Sequence, residues 1–188
     1  MDIDNLLPIT TRRELREWLE RNHNVSPSCW VPTTRKPSPR AVLYLDAVEE
    51  ALCFGWIDST RKKTDSGVLA QRLSPRTRES KWSELNKERI RRLNRLGLMT
   101  PPGLQCLPDM DPEAFRIDPR ILEALQREPR TYANFLAFPR LYRHVRLDTI
   151  QIKKNQPNLF KSRLEKFLIH TRANKMYGEW HDGGRLLD

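Results

Sequence analysis

The chain lacks the residue patterns that identify most function classes. No run approaches the roughly 20 consecutive apolar residues needed to cross a bilayer, so no membrane span is expected. Cysteine is scarce: Cys29, Cys53 and Cys106 lie far apart, form no Cys-x-x-Cys pair and have no histidine at ligand spacing. An odd number of thiols so placed excludes a disulfide framework and a structural zinc site, and predicts reduced, mostly buried side chains. Internal repeats and low-complexity segments are absent. The opening Met1-Asp2-Ile3-Asp4 is acidic and lacks the basic-then-apolar order of an export signal, which makes the cytoplasm the expected compartment.

Patterns for catalysis are equally few. Ser59-Thr60-Arg61-Lys62 has Ser-x-x-Lys spacing, but that pair works on a helix turn, and on a strand positions i and i+3 face opposite ways. His170 and His181 have no acidic or hydroxyl partner at a telling spacing, and His23 stands where a helix-end residue would. Asp109, Asp111 and Glu113 read as a solvated linker rather than as metal ligands. No catalytic residue, metal or cofactor is assigned.

What the chain does have is positive charge. Its 188 residues carry 34 Lys and Arg against 24 Asp and Glu, a net charge of +10 with pI ≈ 9.9. Such a field attracts nucleic acid, anionic lipid or acidic metabolites, and the excess of arginine favours bidentate contact with phosphate or carboxylate. Hydrophobic content of 38% with 31% charged residues describes a globular chain able to bury one core plus a smaller appended unit.

Local signals give the order of elements. Thr11 with Glu14 has capping-box spacing, and Leu15, Trp18 and Leu19 follow at helical intervals, predicting a helix over 12–22. Residues 28–35 read as a strand anchored by Trp30, and Lys36-Pro37-Ser38-Pro39 as a turn. Leu45, Val48, Ala51 and Leu52 predict a helix over 44–54 with Asp46, Glu49 and Glu50 on its other face, ended by Gly55 in a left-handed cap. Trp56 to Lys63 and Val68 to Ser74 then flank Asp65-Ser66-Gly67 as a β-hairpin, with Trp56, Asp58 and Thr60 on one face and Ser59 and Arg61 on the other. Ser80 is the expected N-cap of a helix over 81–96 that carries an apolar stripe of Trp82, Leu85, Ile90, Leu93 and Leu96 and ends at Gly97. Thr100-Pro101 opens a short helical turn. Beyond the proline-rich break at 107–112 the pattern is all-helical: about 119–128, 131–138, 140–154, and a long helix from Pro157 ended by Gly178. The tail over 179–188 is expected to be partly unordered.

One stretch carries more than local structure. Glu49-Glu50-Ala51-Leu52-Cys53-Phe54-Gly55-Trp56-Ile57-Asp58 is followed by Ser74-Pro75-Arg76, Ser80-Lys81-Trp82-Ser83, Asn86 and Leu93-Asn94-Arg95-Leu96-Gly97-Leu98-Met99. In order and gaps this resembles the bacteriocin-protection, YdeI or OmpD-associated family over roughly 12–107. Asn134-Phe135, Phe138-Pro139, Tyr142-Arg143 and Arg163 resemble, more weakly, the family's helical C-terminal part. Where family members usually carry an Ala-Lys then Glu-Thr-Arg pattern, this chain has Gln151-Ile152-Lys153-Lys154-Asn155-Gln156-Pro157. The resemblance implies a small bacterial protein linked to tolerance of bacteriocins or cationic antimicrobial peptides, in some cases to a porin, and implies no established reaction.

The expected fold is α+β, with a small antiparallel sheet packed by helices over 1–107 and a helical unit over 108–188. The expected function is a binding module that recognises an anionic small molecule or protein partner in a cleft lined by Trp56, Asp58, Arg72, Arg76, Ser80, Trp82 and Asn86. Asp58 would orient Arg72 or Arg76, the indoles would wall the cleft, and a helix start at Ser80 would offer free N–H groups to the anion. An alternative is nucleic-acid binding by the helix face of Lys87, Arg91 and Arg95. A third is an enzyme acting on a phosphorylated or carboxylated small molecule.

Overall fold

The computed structural model describes residues 3–77 and 79–187, which form two compact units. One comprises the residues up to Lys81 together with Arg89–Pro108, the other Trp82–Glu88 together with the residues from Asp109 onward. Among the described residues no helix is long and apolar enough to cross a membrane.

The first unit is α+β. Helix α1 (Arg12–Asn22) begins at the capping box: the Thr11 hydroxyl accepts from the Glu14 N–H at 3.2 Å, and the Glu14 carboxylate accepts from the Thr11 N–H at 3.0 Å. Those backbone N–H bonds, the one from Thr10 first, hold the Glu14 carboxyl below the usual carboxylate range. Strand β1 (Cys29–Thr34) leads through the proline turn to β2 (Val42–Leu43), which runs directly into helix α2 (Tyr44–Cys53). Strands β3 (Trp56–Lys63) and β4 (Leu69–Pro75) form the hairpin, with Gly67 at φ 82 in the turn. Sheet order is β2-β1-β4-β3. Because β2 pairs with β1 in parallel, the sheet is mixed rather than wholly antiparallel as expected from the sequence.

Alternation in the hairpin is interrupted. Asp58 pairs with Leu73 and Arg61 pairs with Gln71, so β3 carries one residue more than β4 between these points. That bulge shifts the parity of every later β3 side chain and brings Arg61 to the face of Asp58, contrary to strict period-two reading. The same face carries Trp56, Leu73, Gln71, Cys29 and Val31, all buried. It meets α1 through Trp18, edge-on to Trp56 at 5.8 Å, and α2 through Tyr44.

Helix α3 (Glu84–Arg95) starts three residues later than expected. Ser83 is its cap, its hydroxyl accepting from the Asn86 N–H at 3.2 Å, whereas Ser80 closes a turn by accepting from the Thr77 N–H at 3.0 Å. At its end Gly97 (φ 67) completes a Schellman motif: Gly97 N–H bonds Asn94 O and Leu98 N–H bonds Leu93 O. The short α4 (Pro101–Gln105) closes the end of α2, since the Thr100 N–H and hydroxyl both bond Cys53 O, at 3.2 and 2.5 Å. A Cβ on Gly103 would collide with that same carbonyl.

Glu49 and Glu50 are not on a solvated face. Both are buried on α2 and ringed by arginines: Arg12 meets Glu49 at 2.7 Å and Glu50 at 2.6 Å, Arg16 meets Glu50 at 2.9 Å, and Arg92 meets Glu49 at 3.2 Å. Burial alone would lower the Arg12 pKa, yet the charges and hydrogen bonds of Glu50 and Glu49 leave it raised.

The second unit is helical: α5 (Pro119–Gln126), α6 (Pro129–Ala137), α7 (Arg140–Gln151) and α8 (Pro157–Arg172). They enclose Ile121, Leu125, Phe135, Tyr142, Val145, Ile150 and Phe167. Asp109, Asp111 and Glu113 make local turn bonds, and Glu113 also meets Arg140 at 3.0 Å. Helix α8 ends at Arg172, not at Gly178. Asn174 (φ 51) takes the left-handed position, with its N–H on Thr171 O and that of Lys175 on His170 O. The tail is anchored: Trp180 is buried edge-on against Tyr142 at 5.6 Å, and Leu186 is buried. Asp188, the last residue of that tail, lies outside the described residues.

Removing one partner of a buried ion pair strands the others. Glu50→Ala is expected to lower unfolding free energy by about 2–4 kcal/mol in urea titration, below the fully buried limit. The discount follows from Arg12 and Arg16 keeping 32% and 28% of their side chains in water. Glu17→Ala, which breaks only an exposed pair with Arg13, should change it by less than about 0.5 kcal/mol. Equal effects would refute the structural role given to Glu50.

Candidate functional site

The α2–β3 junction brings chemically active side chains together within the first unit. Gly55 (φ 73) ends α2 and turns the chain into β3, and its carbonyl accepts from the Arg76 N–H at 2.9 Å where β4 leaves the sheet. A Cβ on Gly55 would lie 2.5 Å from the Cys106 sulfur and 3.0 Å from Pro102 O, so glycine is required by space as well as by φ. Arg76 and Cys106 are thereby packed against the same turn.

Asp58 is the acceptor of this locus. The Tyr44 hydroxyl donates to its Oδ2 at 2.8 Å. Burial first, then the Asp58 charge and hydrogen bond, push the Tyr44 phenol up to about 12, opposed by the charges of Arg89 and Arg61. Arg76, half-buried, donates to Lys81 O at 3.3 Å. Burial draws its pKa down to about 10, while Cys106 and Asp58 work against that loss. Arg61 and Arg89 thus act on Tyr44 of this pair, and Asp58 acts on Arg76.

The thiols are poor nucleophiles. Burial lifts Cys29 and Cys53 to about 12, and Cys106, which donates to Pro102 O at 3.1 Å, is raised by burial against the pull of Arg76. Thiolate is the reactive species, so raised pKa values make all three inert.

The expected lining is only partly assembled. Asp58 and Arg76 come together, but Arg72 pairs with Trp30 on β1 and so lies on the opposite sheet face from Asp58. Trp56 is 1% exposed with its Nε1 donating to His23 O at 3.1 Å, leaving no indole wall for a ligand. Ser80 is not a helix start, and its N–H is bonded to Thr77 O, so the expected cradle of free N–H groups is not formed there. Trp82 and Asn86 belong to the second unit, both half-buried. Lys87, also of the second unit, is ion-paired with Glu84 at 2.9 Å, whereas Arg91 and Arg95 belong to the first.

Tyr44, Arg61, Arg89 and Cys106 were not among the expected site residues. Only the position of Tyr44 at the start of α2 hinted at a polar role. Arg61 needs the bulge, Arg89 is a buried arginine beside the Ile90–Leu93 stripe, and Cys106 reaches the turn because Gly55 has no side chain.

A folded-state pKa above the unfolded value of about 10 means that the folded chain keeps a proton the unfolded chain releases. Stability tied to Tyr44 is therefore complete below about 10 and lost as pH rises through about 12. Tyr44→Phe is expected to flatten the fall of melting temperature with pH across that window. An unchanged slope would show that the hydroxyl is not held by Asp58.

Two family models match the chain. Residues 114–174 match the family described as Bacteriocin-protection, YdeI or OmpD-Associated, and residues 7–106 match the domain of unknown function DUF8412. This corrects the extent of the resemblance read from the sequence: the stretch over 12–107 belongs with the second model, and the YdeI match lies in the helical part that resembled it more weakly. No curated protein and no solved structure matches the chain. With more than half of its length in the match over 7–106, the chain belongs to the DUF8412 family, and its helical unit carries a bacteriocin-protection, YdeI or OmpD-associated domain.

Proposed function

We propose that the chain is a bacteriocin-protection-type binding protein that recognises an anionic group, with Arg76 and the Tyr44–Asp58 pair as the recognition locus. The observation that carries this reading is the half-buried Arg76 guanidinium, whose pKa burial draws down to about 10. A group with a depressed folded-state pKa gives stability only above its unfolded pKa, and that stability is lost as pH falls through the folded value. At neutral pH the charged form is therefore held at a cost to the fold, and a bound anion offsets that cost. Asp58 orients the Arg76 side chain, and the charges of Arg61 and Arg89 act on the same Tyr44–Asp58 pair. The net charge of +10 favours an anionic ligand over direct capture of a cationic peptide.

Calorimetric titration with inorganic phosphate tests the reading. Arg76→Met is expected to weaken binding by at least about tenfold, the loss of one charge-assisted contact, while melting temperature at neutral pH stays unchanged or rises. Equal affinity in wild type and variant would overturn it. Asp58→Asn should weaken binding without a large loss of stability. DNA affinity that survives Arg76→Met, yet falls when Lys87, Arg91 and Arg95 are neutralised, would assign the charge to nucleic acid instead. Turnover of a phosphomonoester would move the protein from binder to enzyme.

A further inference from the structure

In the second unit, the segment after α8 folds back so that Tyr177 lies among cationic side chains from two helices. The Arg146 guanidinium carbon of α7 sits 5.4 Å from the Tyr177 ring centre and the Lys166 ammonium of α8 sits 5.1 Å from it. His170 of α8 stacks on the ring at 4.4 Å. The charges of Arg146 and Arg163 both act on the Tyr177 hydroxyl, offsetting part of the upward shift that burial imposes. Tyr142 fixes the segment from beneath, accepting from the Tyr177 N–H at 3.4 Å.

These cations are tethered differently from four other arginines of this unit. Arg120, Arg127, Arg140 and Arg172 each meet a carboxylate. Arg146 instead donates to Glu179 O and Arg163 to Thr149 O, both backbone carbonyls. Among the described residues neither they nor Lys166 have a carboxylate within ion-pair distance. A carbonyl fixes a guanidinium in place but leaves its charge uncompensated. Gly178 strengthens the arrangement: at φ 68, a Cβ there would lie 2.7 Å from Arg146 Nη1, so the missing side chain lets Arg146 lie against the backbone. Positive groups pre-positioned by neutral acceptors are what a strong anion contact requires, because less ordering is left to binding.

We propose that Arg146, Arg163 and Lys166, gathered around Tyr177, form a phosphate-binding site in the second unit, separate in residues from the Arg76 locus. A phosphate group is the fitting chemistry: its oxygens can take the forked donors of two arginines and the point charge of one lysine at once. Tyr177 serves as the post that gathers the cations, with one hydroxyl directed at the same charges. The phosphate can come from a phosphomonoester metabolite or from a nucleic-acid backbone.

The test is amide-resolved NMR on the full chain titrated with inorganic phosphate at constant ionic strength, sodium chloride serving as the matched control. The amides of Tyr177, Gly178 and Glu179 are expected to move in wild type and in Arg76→Met. The Arg163→Gln/Lys166→Gln double variant should weaken that response at least about tenfold, as the loss of two charged contacts requires. Amides that stay still with phosphate, or that respond equally to chloride, would overturn the site. So would a double variant that keeps the response while folded. Failure of the Arg76 locus leaves these amides untouched, so the two proposals fail separately. A nucleoside monophosphate and a single-stranded oligonucleotide then identify the source. A steep salt dependence for the oligonucleotide marks a polynucleotide backbone, and comparable binding of the mononucleotide marks a small ligand.

Discussion

The first unit depends on two adjacent carboxylates with almost no access to water. Glu49 and Glu50 lie on the inward side of α2, and each is held by two arginines: Arg12 and Arg16 from α1, Arg92 from α3. Side-by-side buried acids repel each other and lose hydration, so they stay charged only with cations held at close range. This requirement fixes α1 and the later part of α3 against α2 more specifically than apolar contact would, because arginine forks demand direction. Arg16 adds a bond to Leu98 O, tying in the turn after Gly97. With α2 so fixed, its C-terminal end, Gly55 and the start of β3 have defined positions, and the Tyr44–Asp58–Arg76 locus is built from those positions.

The same helix shows why two clusters of arginine behave differently. Around Glu49 and Glu50 the positive charge is matched by carboxylates and is structural. Around Asp58 the charges of Arg61, Arg76 and Arg89 act on one Tyr44–Asp58 pair, and burial lowers the pKa of Arg76 to about 10. The first cluster is a joint between helices, and the second is the locus proposed above for an anion.

Much of the scaffold was legible in sequence because its signals are local. The Thr11–Glu14 box, the left-handed Gly55 and Gly97 and the Gly67 turn all act within a few residues, and each stands where the spacing put it. What escaped was non-local. Amphipathic logic sends Glu49 and Glu50 to solvent, since their partners Arg12 and Arg16 are more than thirty positions earlier in the chain. Ser80 and Ser83 are equally good caps by type, and the competing bond to Thr77 decided between them. Asn174 pre-empted Gly178 because asparagine also tolerates positive φ. Of the expected lining, Asp58 and Arg76 lie together, whereas Arg72 was lost to sheet parity and Trp56 to the core.

The bulge in β3 is itself a carrier of electrostatic information. Straightening the strand without shortening it would set Thr60 opposite Gln71, and Arg61, Lys62 and Lys63 would each exchange sides of the sheet. One irregular step in the ladder, more than the residue types, therefore decides where this run of positive charge is displayed.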